Sequence, residues 1–138
     1  MALKLVRGEL VKKKSQKVAG DFGAVTAALE RMLRAYEKNL VLTSSASSEY
    51  SLSTRHIMPN KQRLFFAGFQ VRKAFVSYYL MPVYVFPDLL IGMSAELRKR
   101  MQGKSCFNFK NVDPVVFKEL AALTRAGFAR YKKEGLLK

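Results

Sequence analysis

Beyond residue 21 the apolar positions first fall at helical spacing. Val25, Ala28, Leu29, Met32, Leu33, Tyr36 and Leu40 recur at steps of three and four, which predicts an amphipathic helix with one face against a core. Arg31, Arg34 and Lys38 occupy the opposite face. Asp21 is placed to cap this helix, and Asn39 to end it in a left-handed conformation. Residues 40–43 then read as a short strand, 44–49 as a polar loop and 50–53 as a second short strand. Residues 56–62, containing His56 and Pro59-Asn60, read as a loop.

The middle of the chain changes period. Residues 64–71 and 74–81 are rich in aromatic and β-branched side chains, and the short Arg72-Lys73 connection predicts a hairpin. Residues 83–86 extend the strand pattern as far as Pro87. Ser94 is placed to cap a short helix over 95–101 that ends at Gly103. Residues 105–110 alternate, with Phe107 and Phe109 on one side and Cys106, Asn108 and Lys110 on the other. Asp113-Pro114 opens a closing helix whose stripe is Phe117, Leu120, Ala121, Thr124, Phe128 and Tyr131, and which stops near Gly135. This order predicts an α+β domain: an antiparallel sheet of about five strands with the N- and C-terminal helices packed on one face.

Composition adds a strong charge. The 138 residues carry 25 Lys and Arg against 10 Asp and Glu, a formal net charge of +15. Residues 1–20 hold six of the cations (Lys4, Arg7, Lys12, Lys13, Lys14, Lys17), one carboxylate (Glu9) and no aromatic ring. They read as a basic flexible arm before a single domain at 21–138. Without the arm, 19 cations and 9 carboxylates remain, so the domain is itself at +10. No stretch reaches the roughly 18 consecutive apolar residues of a membrane helix. Lys4, Arg7 and Glu9 interrupt any signal-peptide core, so the expected compartment is the cytoplasm. Cys106 and His56 are the only residues of their types, which excludes a disulfide framework and the usual zinc clusters.

Several segments carry a family resemblance. They are Tyr50-Ser51-Leu52, the hairpin Phe65-Phe66-Ala67-Gly68 with Lys73-Ala74-Phe75-Val76-Ser77-Tyr78, and Leu80-Met81-Pro82-Val83-Tyr84. The run from Lys99 to Phe109, with its spacing before Asp113-Pro114, belongs with them. Together they resemble the YdhG-like family of bacterial domains of unknown function, over about residues 22–135. The resemblance implies a compact α+β domain with a frataxin-like outline. One branch of that family is linked to iron delivery, so it also implies an iron chaperone as an alternative function. The sequence departs from that pattern, because iron handling needs a ridge of oxygen ligands and the first helix offers only Glu30 and Glu37, flanked by cations.

Candidate chemistry is sparse. Gly103-Lys104-Ser105 has the end of a phosphate-loop motif, but Arg98 stands where its first glycine belongs and a strand follows where a helix is required. Cys106 is a candidate reactive thiol, with Lys104 two residues back to lower its pKa; the alternative is a small hydrophobe on a strand. The carboxylates are scattered and give no paired acid–base site. No catalytic residue, metal ligand or cofactor follows from the sequence.

The basic clusters remain. Arg98-Lys99-Arg100 with Lys104, Arg72-Lys73 at the hairpin tip, and Lys110 make a candidate polyanion-binding set. Arg125, Arg130, Lys132 and Lys133 line the closing helix. Tyr78, Tyr79, Tyr84 and Phe69 could offer stacking faces beside them, or fill the core. The expected function is a non-enzymatic binding module for a polyanionic partner. Nucleic acid is the first choice of partner, and an acidic protein or anionic membrane surface are alternatives.

Overall fold

Two aspartates set the long helices. Asp21 Oδ1 accepts from Ala24 N at 3.0 Å at the start of α1 (Phe22–Arg34), and Asp113 Oδ1 accepts from Val115 N and Val116 N at the start of α4 (Pro114–Lys133). Pro114 fits the first turn because its missing N–H has no helical partner there. The computed structural model describes residues 20–138, so the expected arm lies outside the described residues except for Gly20.

Between these helices run β1 (Val41–Ala46), β2 (Glu49–Ile57), β3 (Arg63–Val71) and β4 (Val76–Leu80). They are followed by α2 (Met81–Val85), α3 (Ala95–Arg98), β5 (Met101–Gln102) and β6 (Cys106–Phe109). All strand pairs are antiparallel, in the order β1-β2-β3-β4-β6-β5. The fold is α+β, an open six-stranded sheet with α1 and α4 on one face. Two contacts fix that layering. Tyr78 Oη and Thr124 Oγ1 share a hydrogen bond of 2.7 Å across the interface, and Phe66 packs its ring against Tyr36, Phe128 and Tyr131. Val25, Leu29 and Leu33 of the predicted helical stripe are buried in the same core. No described helix is long and apolar enough to cross a membrane.

The differences from the sequence reading have local causes. Helix α1 stops at Arg34, and Asn39 lies in a 3-10 turn rather than a left-handed cap; the only described non-glycine residue with positive φ is Lys61. β1 runs through the polar stretch to Ala46, because an edge strand is held by its backbone ladder and needs no apolar face. β2 extends over His56, with only residues 58–62 left as loop. Residues 83–86 do not extend β4, since Pro82 cannot donate to a ladder and instead starts α2. The helix expected over 95–101 is cut to one turn. Met101 pairs with Phe107 and adds β5, so Gly103 (φ +78°) serves the β5–β6 turn rather than a helix cap.

A β-bulge in β3 decides which rings face outward. Leu52 pairs with Ala67 but Ser53 pairs with Phe65, so Phe66 is the extra residue. Phe66 joins Ala67 on the helix side, fully buried, while Phe65 turns to the uncovered side. Tyr131 Oη donates to the Phe65 carbonyl at 2.9 Å, which ties α4 to the bulge.

Candidate functional site

The uncovered face of the sheet carries two shallow hollows. Alternation puts Ser77 and Tyr79 of β4 and Cys106 and Asn108 of β6 on this face, with Gln102 of β5 beside them. Arg72 and Lys73, in the β3–β4 turn, close one end. These side chains, with Ala74 and Phe75, line a concavity of about 440 Å³ that contains no carboxylate. A smaller hollow of about 180 Å³ adjoins it, floored by Gly68 and walled by Phe65 and Tyr79. Arg63 lies two residues before Phe65 and so on the same side of β3.

A directed chain of hydrogen bonds organises the larger hollow. Ser77 Oγ donates to Asn108 Oδ1 at 2.7 Å, and Cys106 Sγ lies 3.5 Å from the same oxygen. Asn108 Nδ2 then donates to Gln102 Oε1 at 2.8 Å. At the other wall Arg72 Nη2 donates to Tyr79 Oη at 2.5 Å. That contact raises the pKa of Arg72 above its ordinary value, so its charge is fixed at every working pH.

Carboxylates are nearly absent from this face. Glu49, which accepts from Gln70 Nε2 at 3.3 Å, borders the open face. The other described carboxylates are used among the helices and turns. Asp21 and Asp113 are caps, Glu30 and Glu37 pair with Arg34, and Asp88 and Glu134 pair with Arg130. Glu96 pairs with Lys99, and Glu119 accepts from Ser94 N and Oγ.

The candidate cations divide into groups. Arg72 and Lys73 stand together at the hollow, and Lys110 follows Phe109, which pairs with Val76 at the same end of the sheet. Lys104 sits in the β5–β6 turn at the opposite end of β6, ahead of the strand rather than on it. Arg98 and Lys99 belong to α3 and its exit, and the Arg100 carbonyl accepts from Asn108 N at the sheet edge. Of the four candidate stacking rings, Tyr78 and Phe69 are core, Tyr84 is exposed on α2, and Tyr79 alone is on the open face. Phe65, Arg63, Ser77 and Gln102 were not singled out from sequence. Only the bulge and the cross-strand register bring them here.

Burial pushes the Cys106 thiol above its usual pKa, while Ser77, Arg72 and Tyr79 pull the other way and do not overcome it. Alkylation followed against pH should therefore show a midpoint above the ~8.5 of a free thiol. Arg72→Ala should raise that midpoint further, and Lys104→Ala should leave it unchanged. Among the described residues, no three His, Cys, Asp or Glu side chains come together to hold a metal ion. Compared with protein-family models, with curated proteins and with solved structures, the chain matches none.

Proposed function

We propose that the open sheet face binds a polyanion, single-stranded nucleic acid in the first place, and that the protein is a non-enzymatic binding module. The observation that carries this is the composition of the face: Arg72 and Lys73 line it with Tyr79, Arg63 precedes Phe65 on β3 and Lys110 follows β6, with Glu49 as its one described carboxylate. Half-buried rings on an uncovered sheet favour unpaired bases, which can stack on them, over a duplex, whose bases are already stacked. Cations around such rings take the phosphates. Contacts of this kind give affinity with little sequence readout.

The test is binding of labelled oligothymidylate and of a duplex of equal length to the full chain across a salt series. Single strands should bind more tightly, with a log–log slope of about 0.7 per phosphate contact and thus a total of several units. Tyr79→Ala should weaken the single strand selectively, by roughly 1–3 kcal/mol, the scale of one base on one ring. A variant with Lys12, Lys13 and Lys14 changed to Gln separates the N-terminal cations from the sheet. Loss of all binding in that variant, or no binding at low salt in the wild type, would overturn the reading.

A further inference from the structure

The hollow beside the β3–β4 turn has a property that general basicity does not explain: its side chains present donors. Asn108 Oδ1 is occupied by Ser77 Oγ, with Cys106 Sγ beside it. Gln102 Oε1 is occupied by Asn108 Nδ2, which leaves Gln102 Nε2 directed away from the chain of bonds, with no acceptor among the described residues. Tyr79 Oη accepts from Arg72 and stands beside Cys106. Arg72 and Lys73 complete the wall, and no carboxylate interrupts it. The two amide oxygens are thus engaged within the protein, while the Gln102 amide, the Arg72 guanidinium and the Lys73 ammonium keep N–H groups to offer. Such an arrangement suits an oxyanion with several oxygens and more than one negative charge.

Its position narrows the ligand. The hollow lies at the start of β4, bounded on that side by the turn through Arg72, Lys73, Ala74 and Phe75, and it adjoins the Gly68 floor between Phe65 and Tyr79. A strand crossing that floor runs up against the turn here, where β3 ends and β4 begins. A diester, singly charged and bonded on both sides, needs an exit. A terminal monoester needs none and approaches two charges at pH 7.

We propose that this hollow is a phosphomonoester site that receives the phosphorylated end of a bound single strand. The inference rests on the reading of the open face as a nucleic-acid surface. The shared chemistry, a phosphate dianion, could also be met by a free phosphometabolite, and the experiment separates the two sources.

The full chain is titrated with an internally labelled hexathymidylate. Competitors are the unlabelled oligomer with a 5′-phosphate, with a 3′-phosphate, with neither, and thymidine 5′-monophosphate. One phosphorylated end should compete about tenfold better than the unphosphorylated oligomer, the size of one additional charge-assisted contact. The advantage should shrink as pH falls below about 6, where the monoester gains a proton. Gln102→Glu, at the exposed rim, replaces an outward donor by an acceptor and should abolish the advantage while the unphosphorylated oligomer still binds. Arg72→Met should weaken every oligomer, because Arg72 also belongs to the wider cationic face, and should remove the advantage of the phosphorylated end as well. Equal competition by all three oligomers, or an advantage that survives both substitutions, overturns this site and leaves the broader reading standing. Failure of every oligomer to bind overturns both. A mononucleotide that competes as well as the phosphorylated oligomer overturns the strand end as source and assigns the hollow to a free phosphometabolite.

Discussion

Reversing two charges, Arg72→Glu with Lys73→Glu, should weaken single-stranded oligonucleotide binding on the order of 30- to 100-fold at 0.1 M salt. Two attractions are lost and two repulsions gained, each near 1 kcal/mol before screening. The salt slope should fall by about 1.4, the share of two phosphate contacts. Both residues are exposed in the β3–β4 turn, and Arg72 touches the domain through Tyr79 Oη alone among its side-chain partners. Thermal stability should therefore stay within roughly 0.5 kcal/mol of the wild type, the usual range for surface substitutions. The same reversal at Arg98 and Lys99 is the informative contrast. Lys99 already pairs with Glu96, and both residues sit at α3 rather than at the hollow. That pair of changes should cost less than tenfold and reduce the slope by less than one unit. Equal losses from the two double variants would mean that the protein binds through its general field and that the sheet face has no special part.

That contrast is set by topology, which the sequence did not disclose. Arg98, Lys99, Arg100 and Lys104 read as one cluster because they fall within seven positions. The chain spends those positions on a helical turn, an edge strand and a hairpin turn, and so distributes the cations. Elements with a strong local signal were legible. The caps at Asp21 and Asp113, the stripe of α4 and the alternation that puts Cys106 beside Asn108 all follow from spacing alone. The β4–β6 pairing carries no such signal. Nothing near Cys106 announces that Tyr79 is its cross-strand partner, or that Gln102 is its neighbour on the far side. The polar part of β1 was missed because an edge strand without an apolar face has no period to detect. Phe65 was missed because a one-residue bulge reverses the face that simple alternation assigns. The hollow is thus a product of register, the least local property of a sheet.

Gly68→Ala should destabilise the domain by about 2–3 kcal/mol, which for a chain of this size lowers Tm by roughly 10 °C. The glycine sits between Ser51 of β2 and Tyr79 of β4, in the centre of the sheet. A Cβ there would lie 2.4 Å from the Tyr50 carbonyl oxygen and 3.0 Å from the Ser51 Cα, both backbone atoms of the neighbouring strand. No rotamer change relieves such a contact, so β2 must move away from β3. That movement disturbs the Tyr50–Phe69 stack on the helix side and the ladder on both sides of the bulge. Urea unfolding followed by far-UV circular dichroism measures the cost. Gly23→Ala serves as the control, because its Cβ would meet only Asp21 Oδ1, at 3.6 Å, in the first turn of α1. There the gain in helix propensity, up to about 1 kcal/mol, should leave the protein unchanged or slightly more stable. If Gly68→Ala folds with wild-type stability, β2 and β3 are not held together as closely as this contact requires. The floor between Phe65 and Tyr79 would then not have the shape on which a stacked base depends. If it folds with the expected loss and also binds oligonucleotide more weakly under conditions where it remains native, one glycine serves both the sheet and its open face.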